Sequence, residues 1–255
     1  MKNKEGFRTN KLSRGIYILP NIFTSLNIFC GFYAVVASIN GKFVPAAVAI
    51  IIAGAFDTLD GKIARATKTT SKFGLEYDSL ADVISFGLAP GIIMYLWALR
   101  PLGRIGWLAA FLFMVCGALR LARFNTQAGT ISSSHFVGLP IPAGAGMNAT
   151  AVLLYHKLGF NVESHPVIIL VMLYVLAFLM VSNIKYNSFK KPELSKKMNF
   201  NVLVTAILIL IAIAAQPSFV LFLLSFIYVL SGPISAVFRL KKTKQEATKT
   251  RKADT

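Results

Sequence analysis

Acidic residues are scarce in this chain: ten Asp and Glu stand against 27 Lys and Arg, a formal net charge of +17. Cysteine is scarcer still, with only Cys30 and Cys116 among 255 residues, each inside an apolar run. Two isolated cysteines exclude a disulfide framework and a cysteine-rich zinc site, and their setting makes them small buried hydrophobes. Long polar connections are also missing. No gap between apolar runs is large enough to hold a soluble domain, and no internal repeat is evident. The positive charge comes without a basic stripe on a soluble domain, which removes a nucleic-acid-binding reading.

What the chain has in quantity is apolar sequence. It is 55% hydrophobic with a mean hydropathy of +0.63, beyond what soluble domains of this size reach. The residues come in runs: Val167 to Ile184, Val202 to Ala215 and Gln216 to Phe238 carry no charge. Crossing the hydrocarbon core takes roughly 20 apolar residues. The expected fold is all-α, a polytopic membrane bundle with about eight transmembrane helices. The spans are Ile16–Ile39, Val44–Ala64, Tyr77–Leu99, Leu102–Leu121, Ile141–Lys157, Pro166–Ile184, Phe200–Ala215 and Pro217–Phe238. The first run is long and has no small-residue cleavage site after it, so it reads as a span and not as a cleavable signal. The organisation expected is a basic arm over 1–15, an integral domain over 16–238 and a basic tail over 239–255.

Orientation follows from the distribution of Lys and Arg. With eight spans both termini share a side, and 23 of the 27 basic residues fall there. Only Lys42, Arg100, Arg104 and Lys157 fall opposite. Both termini are therefore expected at the cytoplasmic face of the cell membrane, with the basic loops touching anionic lipid.

The few acids are placed unevenly. Five of the ten lie between Asp57 and Asp82, and four of those are the aspartates Asp57, Asp60, Asp78 and Asp82. Asp57, Asp60 and Ala64 stand at i, i+3 and i+7 on one helix face; Asp78 and Asp82 stand at i and i+4 on the next helix. The connection between the two starts near Arg65 and contains Gly74, so both pairs arrive at one membrane depth. Four converging carboxylates repel unless they protonate or are neutralised by cations. Hard divalent cations with oxygen ligands are the natural solution, and Mg²⁺ usually brings a phosphate with it. Gly61 and Ala64 leave room for a bulky group against the helix. Arg65, one turn beyond Gly61, can fork onto phosphate. An ion-coupled transporter using the acids as its ion site is the competing reading. It predicts inverted repeats, and it leaves the Gly61, Ala64 and Arg65 spacing unexplained.

The run Asp57-Thr-Leu-Asp60-Gly61-Lys-Ile-Ala64-Arg65, then eight residues, Gly74, three residues, Asp78, three residues and Asp82 resembles the signature of the CDP-alcohol phosphotransferases at every fixed position. The resemblance implies that Asp57, Asp60, Asp78 and Asp82 bind two divalent cations, Mg²⁺ or Mn²⁺, and that Asp82 is also the general base. It implies that Gly61, Ala64 and Arg65 contact the CDP group, and that Ser71 touches the nucleotide diphosphate. Related enzymes carry a polar motif at the cytoplasmic end of the first span. Here that end holds Pro20, Asn21, Thr24 and Asn27, and Asn21 and Thr24 are the candidates for holding the cytidine. Homodimers are usual in the family.

The signature leaves the acceptor alcohol open. Four further segments resemble the integral-membrane phosphatidylserine synthases within that family: Tyr17 to Gly31, Ser85 to Gly91, Gly117 to Asn125 and Phe136 to Ala143. The activity implied is transfer of the phosphatidyl group from CDP-diacylglycerol to L-serine, giving phosphatidylserine and CMP. The alternative is the same chemistry with glycerol phosphate or inositol phosphate. Arg120 and Arg123, at i and i+3 on the aspartates' side of the membrane, are candidates to clamp the serine carboxylate, with Asn125 adding a hydrogen bond.

Overall fold

The computed structural model describes residues 5–67, 71–127, 135–160, 165–187 and 200–253. Each of the eight apolar segments corresponds to a helix: α1 Glu5–Ile39, α2 Phe43–Ala66, α3 Lys72–Leu102, α4 Arg104–Gln127, α5 Ile141–Leu158, α6 Pro166–Val181, α7 Phe200–Ala215 and α8 Pro217–Ala253. The chain is a polytopic helical membrane protein. Among the described residues, five helical segments are long and apolar enough to cross a bilayer: Leu19–Ile39, Phe43–Ala66, Lys72–Leu102, Arg104–Thr126 and Pro217–Phe238.

The other three helices differ from the simple span pattern for physical reasons. α6 and α7 have 16 residues each, about 24 Å at 1.5 Å per residue, short of the roughly 30 Å hydrocarbon core. α5 is rich in Gly and Ala, includes Asn148 and Thr150, and buries half of its residues inside the bundle. It is built to pack against neighbours and not to face lipid. α1, α3 and α8 also run past the predicted span ends, because hydropathy marks the hydrocarbon boundary whereas helix hydrogen bonding continues beyond it.

Small residues set the packing. α1 lies along α2 with Ala34, Ala37, Ala46, Ala47 and Ala53 in the shared core, which lets the two backbones approach closely. α3 packs on α1 at Gly31, where any side chain would collide with Ser85. Ser85 Oγ donates to the Asn27 carbonyl at 2.9 Å. Directly after Asp82, α3 widens into a π-helical turn over Val83–Leu88. Such turns recur at functional sites. Cys30 and Cys116 are free and buried.

Two short strands tie loops to the last helix. β1 (His135–Val137) pairs antiparallel with β2 (Lys185–Asn187), Phe136 opposite Tyr186. Tyr186 is fully buried, and its ring fills the space left by Gly232 of α8. Its hydroxyl donates to the Val229 carbonyl at 3.1 Å. Burial first, and Tyr228 second, push that hydroxyl up to about 12, so it stays a donor at neutral pH.

Candidate active site

The site is built where α1, α2 and α3 meet. Ser71 starts α3: its Oγ accepts from the Gly74 N–H at 2.9 Å, the N-cap bond that sets where the helix begins. That start fixes which face of α3 carries Asp78 and Asp82. Gly74 has no side chain, so Asn21 of α1 comes close: a β-carbon there would lie 3.7 Å from Asn21 Oδ1. One turn along, Ser25 Oγ and Tyr77 Oη are hydrogen-bonded at 2.9 Å. Across the other seam, Thr24 Oγ1 donates to Asp60 Oδ2 at 2.8 Å.

These contacts bring the aspartates together. Asp57, Asp60 and Asp78 each offer one carboxylate oxygen, all within 4.8 Å of one another. Asp82 is within hydrogen-bonding reach of Asp57. Asp60 and Asp82 are buried, at 4% and 8% exposure. One oxygen each of Asp78 and Asp82 is buried with no hydrogen-bond partner among the described residues. A buried acceptor without a partner costs roughly 1–3 kcal/mol, a cost that protonation or a bound cation would relieve. A compact, all-oxygen, largely buried donor set fits hard divalent cations.

Beside the trio lies a cavity of about 200 Å³. It is lined by Asn21, Thr24, Gly61, Ala64, Arg65 and Ser71, together with Asp60 and Asp78. All six positions predicted to contact the CDP group thus share one wall-to-wall space next to the carboxylates. The Arg65 guanidinium lies over Gly61, where a β-carbon would be 3.5 Å from Nη1. Gly61 therefore leaves the cavity open beneath a phosphate-binding side chain.

The predicted serine-binding residues are not brought together. Arg120 is 7% exposed and lies near enough to Asp82 and Tyr228 to interact electrostatically with both. Arg123 instead donates from Nη2 to Asn183 Oδ1 at 2.6 Å, beyond the end of α6. Asn125 donates from Nδ2 to Ser79 Oγ on α3 at 2.9 Å. Arg123, though i+3 from Arg120, is drawn to the end of α6 by Asn183, and Asn125, five residues along, turns to α3. Of these three residues of α4, Arg120 is the one that interacts with Asp82. Tyr228 was not foreseen. It lies in the last apolar run, and no local spacing links it to the site.

A buried carboxylate cluster beside a phosphate-sized cavity, at one end of a membrane bundle, defines an integral-membrane phosphotransferase. A profile of the CDP-alcohol phosphatidyltransferases matches residues 17–182, and the chain belongs to that family. It is 38% identical over 227 residues to a CDP-diacylglycerol–serine O-phosphatidyltransferase of Helicobacter pylori, covering 89% of this chain and 94% of the relative. It is 35% identical over 224 residues to the enzyme of that name from Methanocaldococcus jannaschii, covering 88% and 96%. An archaetidylserine synthase of Methanothermobacter thermautotrophicus is 36% identical over 170 residues, covering 66% and 69%.

Proposed function

We propose that this protein transfers the phosphatidyl group of CDP-diacylglycerol to the hydroxyl of L-serine, releasing CMP. The observation that carries the reading is the single cavity joining Asn21, Thr24, Gly61, Ala64, Arg65 and Ser71 to Asp60 and Asp78. Serine as acceptor is supported by the names of the relatives, which share it and differ in the lipid. The diacyl lipid is the substrate proposed here.

In this reading Asn21 and Thr24 hold the cytidine end. Arg65 and Ser71 bind the diphosphate over Gly61 and Ala64, where backbone can approach closely. Asp57, Asp60, Asp78 and Asp82 hold two divalent cations, Mg²⁺ or Mn²⁺. When bound, these neutralise charge that builds on phosphorus and on the departing CMP. Asp82, buried at the start of the π-helical turn of α3, takes the proton of the serine hydroxyl as its oxygen attacks the lipid-side phosphorus in line. The new P–O bond forms as the bond to the CMP oxygen breaks. Arg120, which interacts with Asp82 and does not line the cavity, receives the serine carboxylate; Arg123 and Asn125 keep that end of α4 fixed to Asn183 and to α3.

The charge distribution supports a site and both termini on the cytoplasmic side of the cell membrane, with residues 1–15 and 239–255 as basic flanks meeting anionic lipid. Thiol labelling of single cysteines placed at Lys42 and at Lys241 in sealed vesicles tests this; labelling of Lys42→Cys from the cytoplasmic side would reverse it. The protein is proposed to act as a homodimer, which crosslinking in native membranes reads directly.

The test of the reaction is CMP release from CDP-diacylglycerol by purified protein in detergent, with Mg²⁺ or Mn²⁺ and a panel of acceptors. Serine should dominate. Preferred use of glycerol phosphate or inositol phosphate would overturn the acceptor assignment and leave the nucleotide site standing.

A further inference from the structure

Asn27 is fully buried, at 0% exposure, and neither its amide nitrogen nor its amide oxygen has a hydrogen-bond partner among the described residues. A primary amide sealed into a helix bundle without partners is costly on both atoms. Its position follows from contacts on either side. On α1, Thr24 faces Asp60 of α2, and Gly31 faces Ser85 of α3. Asn27 is three residues after the first and four before the second, so it faces the seam between α2 and α3. Its depth is fixed in the same way. Asn21 lies against Gly74, Ser25 bonds Tyr77, and Ser85 bonds the Asn27 carbonyl. The two parallel helices are therefore in a register that sets Asn27 level with the turn from Asp78 to Asp82. α2 runs the other way, so one turn below Asp60 it presents Asp57 at that level.

Helical side chains lean toward the N-terminus, and on α1 that direction leads from Asn27 back to the carboxylates. The seam thus contains two unpartnered carboxylate oxygens, on Asp78 and Asp82, and an unpartnered amide. A single polar chamber would account for all of them. Buried waters settle where two to four such groups converge.

We propose that Asn27 is a positioning residue of the carboxylate chamber, its amide holding a water of the divalent-cation site against Asp78 and Asp82. An amide suits this place. It adds an acceptor for the water and a donor for a carboxylate without adding a fifth negative charge. The proposal rests on the divalent-cation reading given above. Groups that orient a metal site from behind typically change its affinity about 10–100-fold.

The experiment is Mn²⁺ binding to the purified protein in detergent, followed by the loss of the free-ion resonance signal, with thermal unfolding of each variant measured with and without Mn²⁺. Wild-type protein should bind, and Asp78→Asn should bind at least about tenfold more weakly. If those two bind alike, the cation reading itself fails. Asn27→Leu should weaken Mn²⁺ about tenfold or more and shrink the Mn²⁺-induced rise in unfolding temperature, while the metal-free protein unfolds at or above the wild-type temperature. Unchanged Mn²⁺ affinity in Asn27→Leu overturns the proposal. Asn27→Asp adds a charge where the amide stood and should tighten Mn²⁺; an affinity equal to wild type would place residue 27 outside the chamber and overturn it as well. The Asp variant also decides the matter if Asn27→Leu does not fold.

Discussion

The two flanks of the carboxylate cluster are made in different ways. The nucleotide flank comes from a short stretch of chain: Gly61, Ala64, Arg65, Ser71 and Gly74 lie between the two aspartate pairs, and α1 adds Asn21 and Thr24. It is an open cavity with an exposed arginine at its edge. The opposite flank is gathered from far apart. Arg120 comes from α4 and Tyr228 from α8, and Tyr186 of β2 packs its ring 5.8 Å from that of Tyr228. Here the arginine is buried. In the proposed reaction this difference corresponds to two tasks. A diphosphate arrives with several charges and can be held by backbone approach, cations and a flexible fork. A small zwitterion such as serine has to be selected by groups already fixed in place.

The comparison can be broken at several points. The largest effect belongs to the residues that serve both flanks. Asp82→Asn should lower CMP release by at least about a thousandfold, the range expected when a general base or metal ligand is lost. The purified protein should keep its unfolding temperature, since a buried charge is being removed. Normal turnover in this variant would end the assignment of Asp82 as base.

Next come the two arginines, which should separate the flanks kinetically. Arg120→Lys should raise the KM for serine about tenfold or more, with the KM for CDP-diacylglycerol within about twofold, because a fork onto a carboxylate is worth about 1.5–3 kcal/mol. Arg65→Lys should do the reverse. If both variants shifted both constants alike, the flanks would form one site and not two.

Smaller effects come from the scaffold of the buried flank. Gly232→Val drives a side chain into the Tyr186 ring. It should cost about 1–3 kcal/mol as overpacking does, seen as a lower unfolding temperature with serine use failing before CDP-diacylglycerol binding. Tyr186→Phe removes only the bond to the Val229 carbonyl, a cost near 1 kcal/mol. The smallest change is expected from Arg123→Ala. Its guanidinium reaches Asn183 and not the aspartates, so turnover should stay within about threefold of wild type, the scale of an exposed polar contact. A large rise in serine KM there would make Arg123 the serine-binding candidate on α4.

The membrane bundle was legible because hydrocarbon imposes long apolar runs whatever the tertiary arrangement. The limits of that signal show in α5, where Gly, Ala, Asn148 and Thr150 reflect burial among helices. The carboxylate site was legible because its residues sit at helical spacings on two consecutive helices joined by a short connection. Asn125 and Arg123 show what spacing leaves open. A shared end of a helix is not a shared direction, and each found a partner on a different element.

By itself, then, the sequence determined that four aspartates, Gly61 and Arg65 meet at one end of a membrane-spanning bundle. Helical periodicity acts over a few residues and needs no knowledge of what packs where. The tertiary structure alone decided that Asn27 stands level with Asp78 and Asp82, and that Arg120 rather than Arg123 turns inward toward Tyr228. Those choices depend on the register between α1 and α3 and on where α8 places Tyr228. Both are set by close packing at positions such as Gly31 and Gly232, contacts between residues 54 and 46 positions apart in sequence that no local pattern records.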